Sequence, residues 1–330
     1  MVKVSVVIPV KNRRRYIGEL LQSLMNQRIK PYEIIVVDGG STDGTLEVAR
    51  NFPVKILFDE GRGTNAARNI GLLNAKGDIV AFIDADCVAP PDWLENMVKE
   101  LENGDHICVG GSAIIHPKLR GNIIAEYANT GFFPVMPVYR ERKVITKENV
   151  VSQRLPNTNN LGVVRRILIE EKLYFDEGIK GGAEEQEFLW RILEKGYSIL
   201  VSDKIKVYHY HRRTLKGLLK QVYRYGRGLY RFYHKHRNAP LARIPALIII
   251  VFYTSLASSI LLSILVNPLT LGVVFFIVFI LPFILLTLFH LVHRKTSFRR
   301  ALVYSILDII VEICYSIGFM REFLGEVVSG

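Results

Sequence analysis

Nearly all the long apolar runs of this chain fall between about residues 241 and 320, while the first 210 or so residues have an ordinary water-soluble composition with regular turn signals. A single aqueous core does not produce that asymmetry, so the chain divides into a globular part and a membrane part. Leu241 to Val266 and Leu269 to Val292 are each long enough to cross a hydrocarbon core, and only Asn267-Pro268 separates them, which predicts a helical hairpin. Ala301 to Met320 is a third candidate and carries Asp308 and Glu312. One helical turn apart, these acids share a face that must turn toward protein, either a neighbouring helix or a second copy in a homo-oligomer. A helix lying at the interface is the alternative; the sequence favours a span.

The net charge is +12, and much of the excess precedes the first apolar run. Arg212, Arg213, Lys216, Lys220, Arg224, Arg227, Arg231, Lys235 and Arg237 form a stretch without a single acid. At about 100° per residue the bases from Lys216 to Lys235 gather on one arc of a helix, with Leu215, Leu218, Leu219, Val222, Leu229 and Tyr233 on another face. Residues 212–238 therefore read as a basic amphipathic segment on anionic membrane lipids, and adjacency to the membrane decides against nucleic acid as the partner. Gly226 and Gly228 are expected to break that helix in two. The loop His293 to Arg300 is also basic, so the positive-inside rule puts it and the globular part on the cytoplasmic side of the cell membrane, with residues 239–330 as a multi-pass anchor. Cys87, Cys108 and Cys314 have no disulfide or zinc-site spacing, and reduced thiols suit that side. The chain opens directly on an apolar strand at Val4 to Ile8, so no export leader is expected.

Within residues 1–211 strand and helix patterns alternate. Val4 to Ile8, Glu33 to Val37, Val54 to Phe58 and Ile79 to Ile83 read as strands, with helices at Tyr16 to Gln27, Thr45 to Asn51 and Asn65 to Ala75. Such alternation predicts an α/β fold with a parallel sheet covered on both faces, and ligands beyond the carboxyl ends of its strands. The polar clusters Lys11-Asn12-Arg13, Asp38-Gly39-Gly40-Ser41 and Asp84-Ala85-Asp86 all fall at those ends. Beyond about residue 105 the pattern is mixed: a strand from Ile107 that can run to Ile115, a loop-like tract through Phe132-Phe133-Pro134, and a helix from Glu184 to the C-cap Gly196.

Two carboxylates one residue apart at a strand's exit, Asp84 and Asp86, can hold a divalent cation against a diphosphate, although acidic pairs there also cap turns. Asp38 can accept hydrogen bonds from a base or ribose where glycines let a ligand approach, or its turn can be ordinary helix capping. Gly61-Arg62-Gly63 opens a helix carrying Arg68, whose forked guanidinium suits a diphosphate; the plain alternative is a surface helix. His209 and His211 alternate on a strand, so one can complete a metal shell or touch the diphosphate. Glu184, Glu185 and Glu187 open a helix, where the dipole stabilises anions and mutual repulsion can raise one toward a useful pKa.

The Val4 to Pro9 strand with Lys11-Asn12, the Asp38 turn, Gly63 to Asn69, Asp84-Ala85-Asp86, the Pro156 to Arg166 tract and Phe175-Asp176-Glu177 through Arg191 resemble, in order, the inverting family 2 glycosyltransferases of the GT-A fold. The likeness covers residues 2 to about 213 and extends to membrane-anchored polyprenyl-phosphate glycosyltransferases. It implies a GT-A domain, a Rossmann-like mixed sheet flanked by helices, followed by an all-α transmembrane region. Pro9, Asn12 and Asp38 would hold the nucleoside, with Gly63, Arg68, Asp84, Asn160 and Arg212 also on the nucleotide sugar. Asp84, Asp86 and His209 would hold Mg2+ or Mn2+. Glu185, with Glu184 beside it, takes the place of the catalytic base. Two departures stand out: Gly39 occupies a position where many relatives have a second Asp, and the base is Glu where Asp is usual. Gln221-Val222-Tyr223-Arg224-Tyr225 is similar to the Gln-x-x-Arg-Trp of processive synthases but lacks the Trp.

The resulting expectation is metal-dependent, inverting transfer from a nucleotide-sugar donor to a membrane-associated acceptor, either a polyprenyl phosphate or a hydroxyl of a lipid-linked glycan or glycolipid. A non-catalytic membrane scaffold that only binds nucleotide is the alternative.

Overall fold

The computed structural model describes residues 2–102, 106–133, 135–265 and 270–329. Two compact units emerge, residues 1–125 with 136–211, and residues 126–135 with 212–330.

The first unit contains β1 (Val4–Val10), α1 (Arg14–Met25), β2 (Glu33–Asp38), α2 (Thr45–Ala49), β3 (Lys55–Phe58), α3 (Thr64–Asn74), β4 (Ile79–Ile83), β5 (Cys87–Val88), α4 (Trp93–Glu102) and β6 (Cys108–Ile115). After α5 (Ile123–Thr130), which crosses into the second unit, it resumes with β7 (Lys143–Ile145), β8 (Asn160–Val164), α6 (Arg165–Glu170), α7 (Glu184–Glu194) and β9 (Ile199–His209). One sheet runs β3-β2-β1-β4-β8-β6-β9-β5, with β7 also on β9. The four strands read from apolar runs pair in parallel, β2 with β3, β1 with β2 and β1 with β4. β8 then enters antiparallel to β4, opposing Asn160 to Ile83, which makes the sheet mixed. β1 and β4 are buried along their whole lengths, as strands covered on both faces must be. α3 lies so close to β1 that a Cβ on Gly71 would stand 2.2 Å from Val7 Cγ1, so only glycine fits there. The expected polar clusters do sit at the carboxyl ends of β1, β2 and β4. Pro134, in the tract read as a loop, lies outside the described residues.

The second unit is helical. α8 (Leu215–Lys235) is followed by α9 (Pro240–Leu265), α10 (Thr270–Phe275), a wide turn of π-helix at Phe276–Ile280, α11 (Leu281–Val292) and α12 (Phe298–Ser329). Three stretches, Pro240–Leu261, Leu271–Val292 and Phe298–Glu326, are long and apolar enough to cross a membrane. Val266, Asn267, Pro268 and Leu269, where the hairpin connection is read from the sequence, lie outside the described residues.

α8 is continuous, against the expectation that Gly226 and Gly228 would break it. These helices meet backbone to backbone: a Cβ on Gly226 would lie 1.9 Å from the Tyr315 carbonyl oxygen, and one on Gly318 would lie 2.2 Å from that of Tyr223. Gly226 is thus a contact point between helices rather than a break. The basic face is also less free than its own sequence suggests, because Arg227 and Arg231 pair with Glu322, and His234 with Glu326, all on α12. Arg212, Lys216, Lys220 and Arg224 are exposed.

Asp308 turns inward as expected of an acid in an apolar helix, and its partners belong to its own chain. It accepts from Tyr127 Oη at 2.7 Å and the Phe132 amide at 2.9 Å, and lies 2.6 Å from His290 Nε2. Asp308→Ala strands these buried groups, an expected loss of about 1–3 kcal/mol. Thermal unfolding of the detergent-solubilised protein should show a lowered midpoint, and Asp308→Asn a smaller drop; an unchanged midpoint in the Ala variant would remove Asp308 as a structural anchor.

Candidate active site

All the groups described next, Arg212 excepted, belong to the first unit. At the β2 end, Asp38 is only 1% exposed. Its Oδ2 accepts from the amides of Gly40 (3.0 Å) and Ser41 (2.9 Å), and its Oδ1 from the Ser41 hydroxyl. Asn12, in the left-handed region at φ 52°, ties the neighbouring turn on: its amide donates to Ser41 Oγ at 2.9 Å and its Oδ1 accepts from the Thr42 amide at 2.9 Å. Pro9 sits inside β1 opposite Val37. Asp38, the residue expected to face a base or ribose, builds with its oxygens the turn at that strand end. Behind Gly39 stands Asp59, buried at the end of β3 and accepting from the Gly61 amide at 2.8 Å. A Cβ on residue 39 would come within 3.3 Å of Asp59 Oδ2, so the glycine makes room for that carboxylate.

At the β4 end the two aspartates part company. Asp84 turns to Arg68, with Oδ1 and Nη2 3.5 Å apart. Burial and the like charge of Asp86 raise the Asp84 carboxyl above its ordinary range, with Arg68 chiefly opposing. Asp86 lies 3.4 Å from His209 Nε2 and 3.5 Å from Arg13 Nε. The two-residue strand β5 explains the histidine's position, since Cys87 is the register partner of His209 and the Tyr210 amide donates to the Asp86 carbonyl at 2.9 Å. His209 Nδ1 is 2.7 Å from His211 Nδ1, which fixes the ring and leaves Nε2 toward the aspartate. The strand end is braced from the other side, where Tyr210 donates to Glu19 Oε2 at 2.7 Å and stacks on His116 with centroids 4.1 Å apart.

Among the described residues, Asp86, Cys87 and His209 form a group whose ligand atoms lie within 4.8 Å of one another. A carboxylate oxygen and an imidazole nitrogen facing each other suit Mn2+ or Mg2+ with further oxygens supplied by a bound molecule. Asp84, expected among the metal ligands, is not in this group and engages Arg68 instead. Burial, then Asp86 and Asp84, push the Cys87 thiol well up, so it remains protonated at neutral pH.

Gly63, at φ 109°, opens α3. That helix holds the loop leading to the acidic helix α7: Asn65 Nδ2 donates to the carbonyls of Asp176 (2.7 Å) and Ile179 (3.1 Å), and the Asn69 side chain both donates to and accepts from the Phe175 backbone. Arg68, buried between them, donates to Asn65 Oδ1 at 3.2 Å. Gly181, Gly182 and Ala183 all adopt positive φ, and the Gly181 amide donates to Glu184 Oε1 at 2.8 Å, setting Glu184 as the brace of the turn. Glu185 is half-buried and pushed up to about 7 by burial and by Glu184, with Asp84 adding a smaller push. Its own amide and the Arg68 guanidinium pull the other way, so residues 68, 84 and 185, far apart in the chain, share one electrostatic neighbourhood. Glu187 is buried on Arg191 at 2.6 Å and supports the helix.

One other expected contact is placed differently. Asn160 is fully buried, accepts from Trp93 Nε1 at 2.8 Å and donates to the Ser112 carbonyl at 3.0 Å, so it staples β8 to its neighbours and presents nothing to a donor. Its neighbour Asn159 has a buried Oδ1 with no hydrogen-bond partner among the described residues. Arg212 is exposed and is the first residue of the second unit after His211. Sequence reading placed Arg13 in the strand-end cluster Lys11-Asn12-Arg13 without giving it a role, and missed Asp59 and Cys87 as site residues; Asp59 lies at a strand end, where it was open to the same argument as Asp38.

The chain matches the Glycosyl transferase family 2 profile over residues 5–152 and the Glycosyl transferase family group 2 profile over residues 79–291. It is 32% identical over 234 residues to the glycosyltransferase AglE of Haloferax volcanii, covering 68% of this chain and 72% of that protein. It is 29% identical over 237 residues to the dolichyl N-acetyl-alpha-D-glucosaminyl phosphate 3-beta-D-2,3-diacetamido-2,3-dideoxy-beta-D-glucuronosyltransferase of Methanococcus voltae, covering 68% of this chain and 71% of that one. Its fold is similar to that of a mannosyltransferase of Pyrobaculum calidifontis solved with GDP-Man and Mn2+, with a TM-score of 0.61 and 19% identity over 97% of this chain and 87% of that one.

Proposed function

The chain belongs to glycosyl transferase family 2, and on that premise we propose that it transfers a sugar, with inversion and with Mn2+ or Mg2+, from a nucleoside diphosphate sugar to a hydroxyl of a lipid-linked glycan. The observation that carries this reading is Glu185, raised to about 7 beside Arg68 and Asp84, because a group half-ionised near neutral pH is suited to taking a hydroxyl proton. The Methanococcus relative, named for a dolichyl-phosphate-linked sugar, supports a lipid-linked acceptor.

Asp86 and His209 would hold the cation, which when bound neutralises charge on the leaving diphosphate. Arg68, oriented by Asn65 and balanced by Asp84, offers its guanidinium to the same diphosphate. Pro9, Asn12 and the turn built by Asp38 form the edge for the nucleoside, and Asn159 rather than Asn160 is the amide left to meet the donor sugar. Glu185 accepts the acceptor's proton as its oxygen attacks the anomeric carbon from the face opposite the diphosphate. The bond from that carbon to the diphosphate oxygen breaks, and the nucleoside diphosphate departs. Glu184 positions Glu185 by fixing the turn at Gly181.

The three apolar helices anchor the enzyme in the cell membrane with its catalytic unit cytoplasmic, and the exposed bases Arg212, Lys216, Lys220 and Arg224 meet anionic lipid. A panel of nucleotide sugars, assayed with Mn2+ and a polyprenyl-linked monosaccharide, should give turnover with a donor in the panel and none in EDTA. Turnover only with the bare polyprenyl phosphate would move the acceptor to the phosphate class. Nucleotide binding without any transfer would leave the scaffold reading.

A further inference from the structure

The metal-ligand group contains a sulfur that a hard cation does not need. Cys87 Sγ, Asp86 and His209 present one thiol, one carboxylate and one imidazole with donor atoms within 4.8 Å of one another. His209 Nε2 and Asp86 Oδ1 are 3.4 Å apart, close to the roughly 3.3 Å edge of a tetrahedron with metal bonds of about 2.0–2.1 Å. The second ring nitrogen of His209 is engaged by His211, the kind of outer partner that holds a ligating imidazole in place. Cys87 itself is held only weakly, its thiol 3.8 Å from the Asn159 carbonyl. Three protein donors of N, O and S type match the protein ligand count of a catalytic-type zinc site.

We infer that this centre binds a thiophilic divalent cation, Zn2+ or Cd2+, through Asp86, Cys87 and His209, and that Cys87 alone makes the difference from the Mn2+ or Mg2+ set of the proposed reaction. As the sulfur–metal bond forms, the Cys87 proton leaves to solvent and the thiolate takes its place. Mn2+ uses the oxygen and nitrogen ligands and leaves the thiol protonated. Zinc in that position fills the seat of the activating cation with a stronger-held ion, so the centre is a point of competitive zinc inhibition. This inference rests on the metal reading of the site.

The test uses the full-length detergent-solubilised protein, stripped of metal and titrated with Cd2+, which develops an ultraviolet sulfur-to-metal charge-transfer band. Wild type and the Cys108→Ser/Cys314→Ser double variant should show the band at one equivalent, and Cys87→Ser and Cys87→Ala should not. Zinc affinity, by chelator competition, should fall about tenfold or more in the Cys87 variants while Mn2+ affinity, by electron paramagnetic resonance, stays within about twofold. Retained Mn2+ binding also reports that the Cys87 variants are folded. A band that persists without Cys87, or is absent from the double variant, overturns the inference. If Mn2+ binds neither wild type nor variants, the metal-dependent reaction fails as a reading, while the cadmium band still decides the role of Cys87.

Discussion

Glu185→Gln is expected to lower kcat with a lipid-linked glycan acceptor by about a hundred- to ten-thousand-fold, the range associated with losing a general base, while nucleotide-sugar affinity stays close to normal. Gln keeps the shape and the half-buried position but cannot take a proton. The pH profile sharpens the test. Glu185 is raised to about 7, and the ionised form is the active one, so the rate should fall about tenfold per pH unit below roughly pH 7 and level off above it. In the Gln variant that acid limb should vanish along with most of the rate. Near-normal turnover of the variant with the glycan acceptor would remove Glu185 as the base; near-normal turnover only with a polyprenyl phosphate, whose attacking oxygen is already anionic, would make Glu185 a positioning residue. Asp at 185 is the informative companion: its carboxyl is one methylene shorter, so partial activity would measure how closely the carboxylate must approach the acceptor.

What could be read without coordinates followed from how each signal is encoded. β1, β2 and β4 are continuous apolar runs ending in polar clusters, so their ends, and with them residues 12, 38, 84 and 86, were legible. Glu185 was legible for a similar reason, as an acid in the first turn of a helix after two glycines. Side-chain direction was not. Asn159 and Asn160 are neighbours of the same type, and only the pairing of β8 with β4 sends 160 into the core and leaves 159 with an unmatched oxygen. Asp84 and Asp86 look equivalent in sequence, yet Arg68 lies against one and His209 against the other. Cys87 joins the metal group because a two-residue strand sets it opposite His209, a register too short to leave any periodic trace. In the helical unit Gly226 of α8 was misread because propensity describes an isolated helix, whereas here α12 approaches close enough to require it.

Asp86→Ala should abolish turnover, by about a thousandfold or more, in a protein that still folds. The fold should survive because Asp86 contributes to it through its backbone: the carbonyl accepts from Tyr210, and removing the side chain leaves that bond in place. The side chains beside it are not stranded either. Arg13 is partly exposed and also donates to the Lys11 and Asn12 carbonyls, and His209 retains His211. The loss therefore falls on function, since His209 alone offers one nitrogen where a hard cation needs anionic oxygen. Two measurements taken together decide the matter. Thermal unfolding and nucleotide binding in the absence of metal should match wild type, and Mn2+ affinity should fall in parallel with the rate. Full activity in Asp86→Ala would remove the cation from this position altogether. Loss of activity with Mn2+ still tightly bound would instead make Asp86 a group that acts on the substrate, with the cation held by other residues.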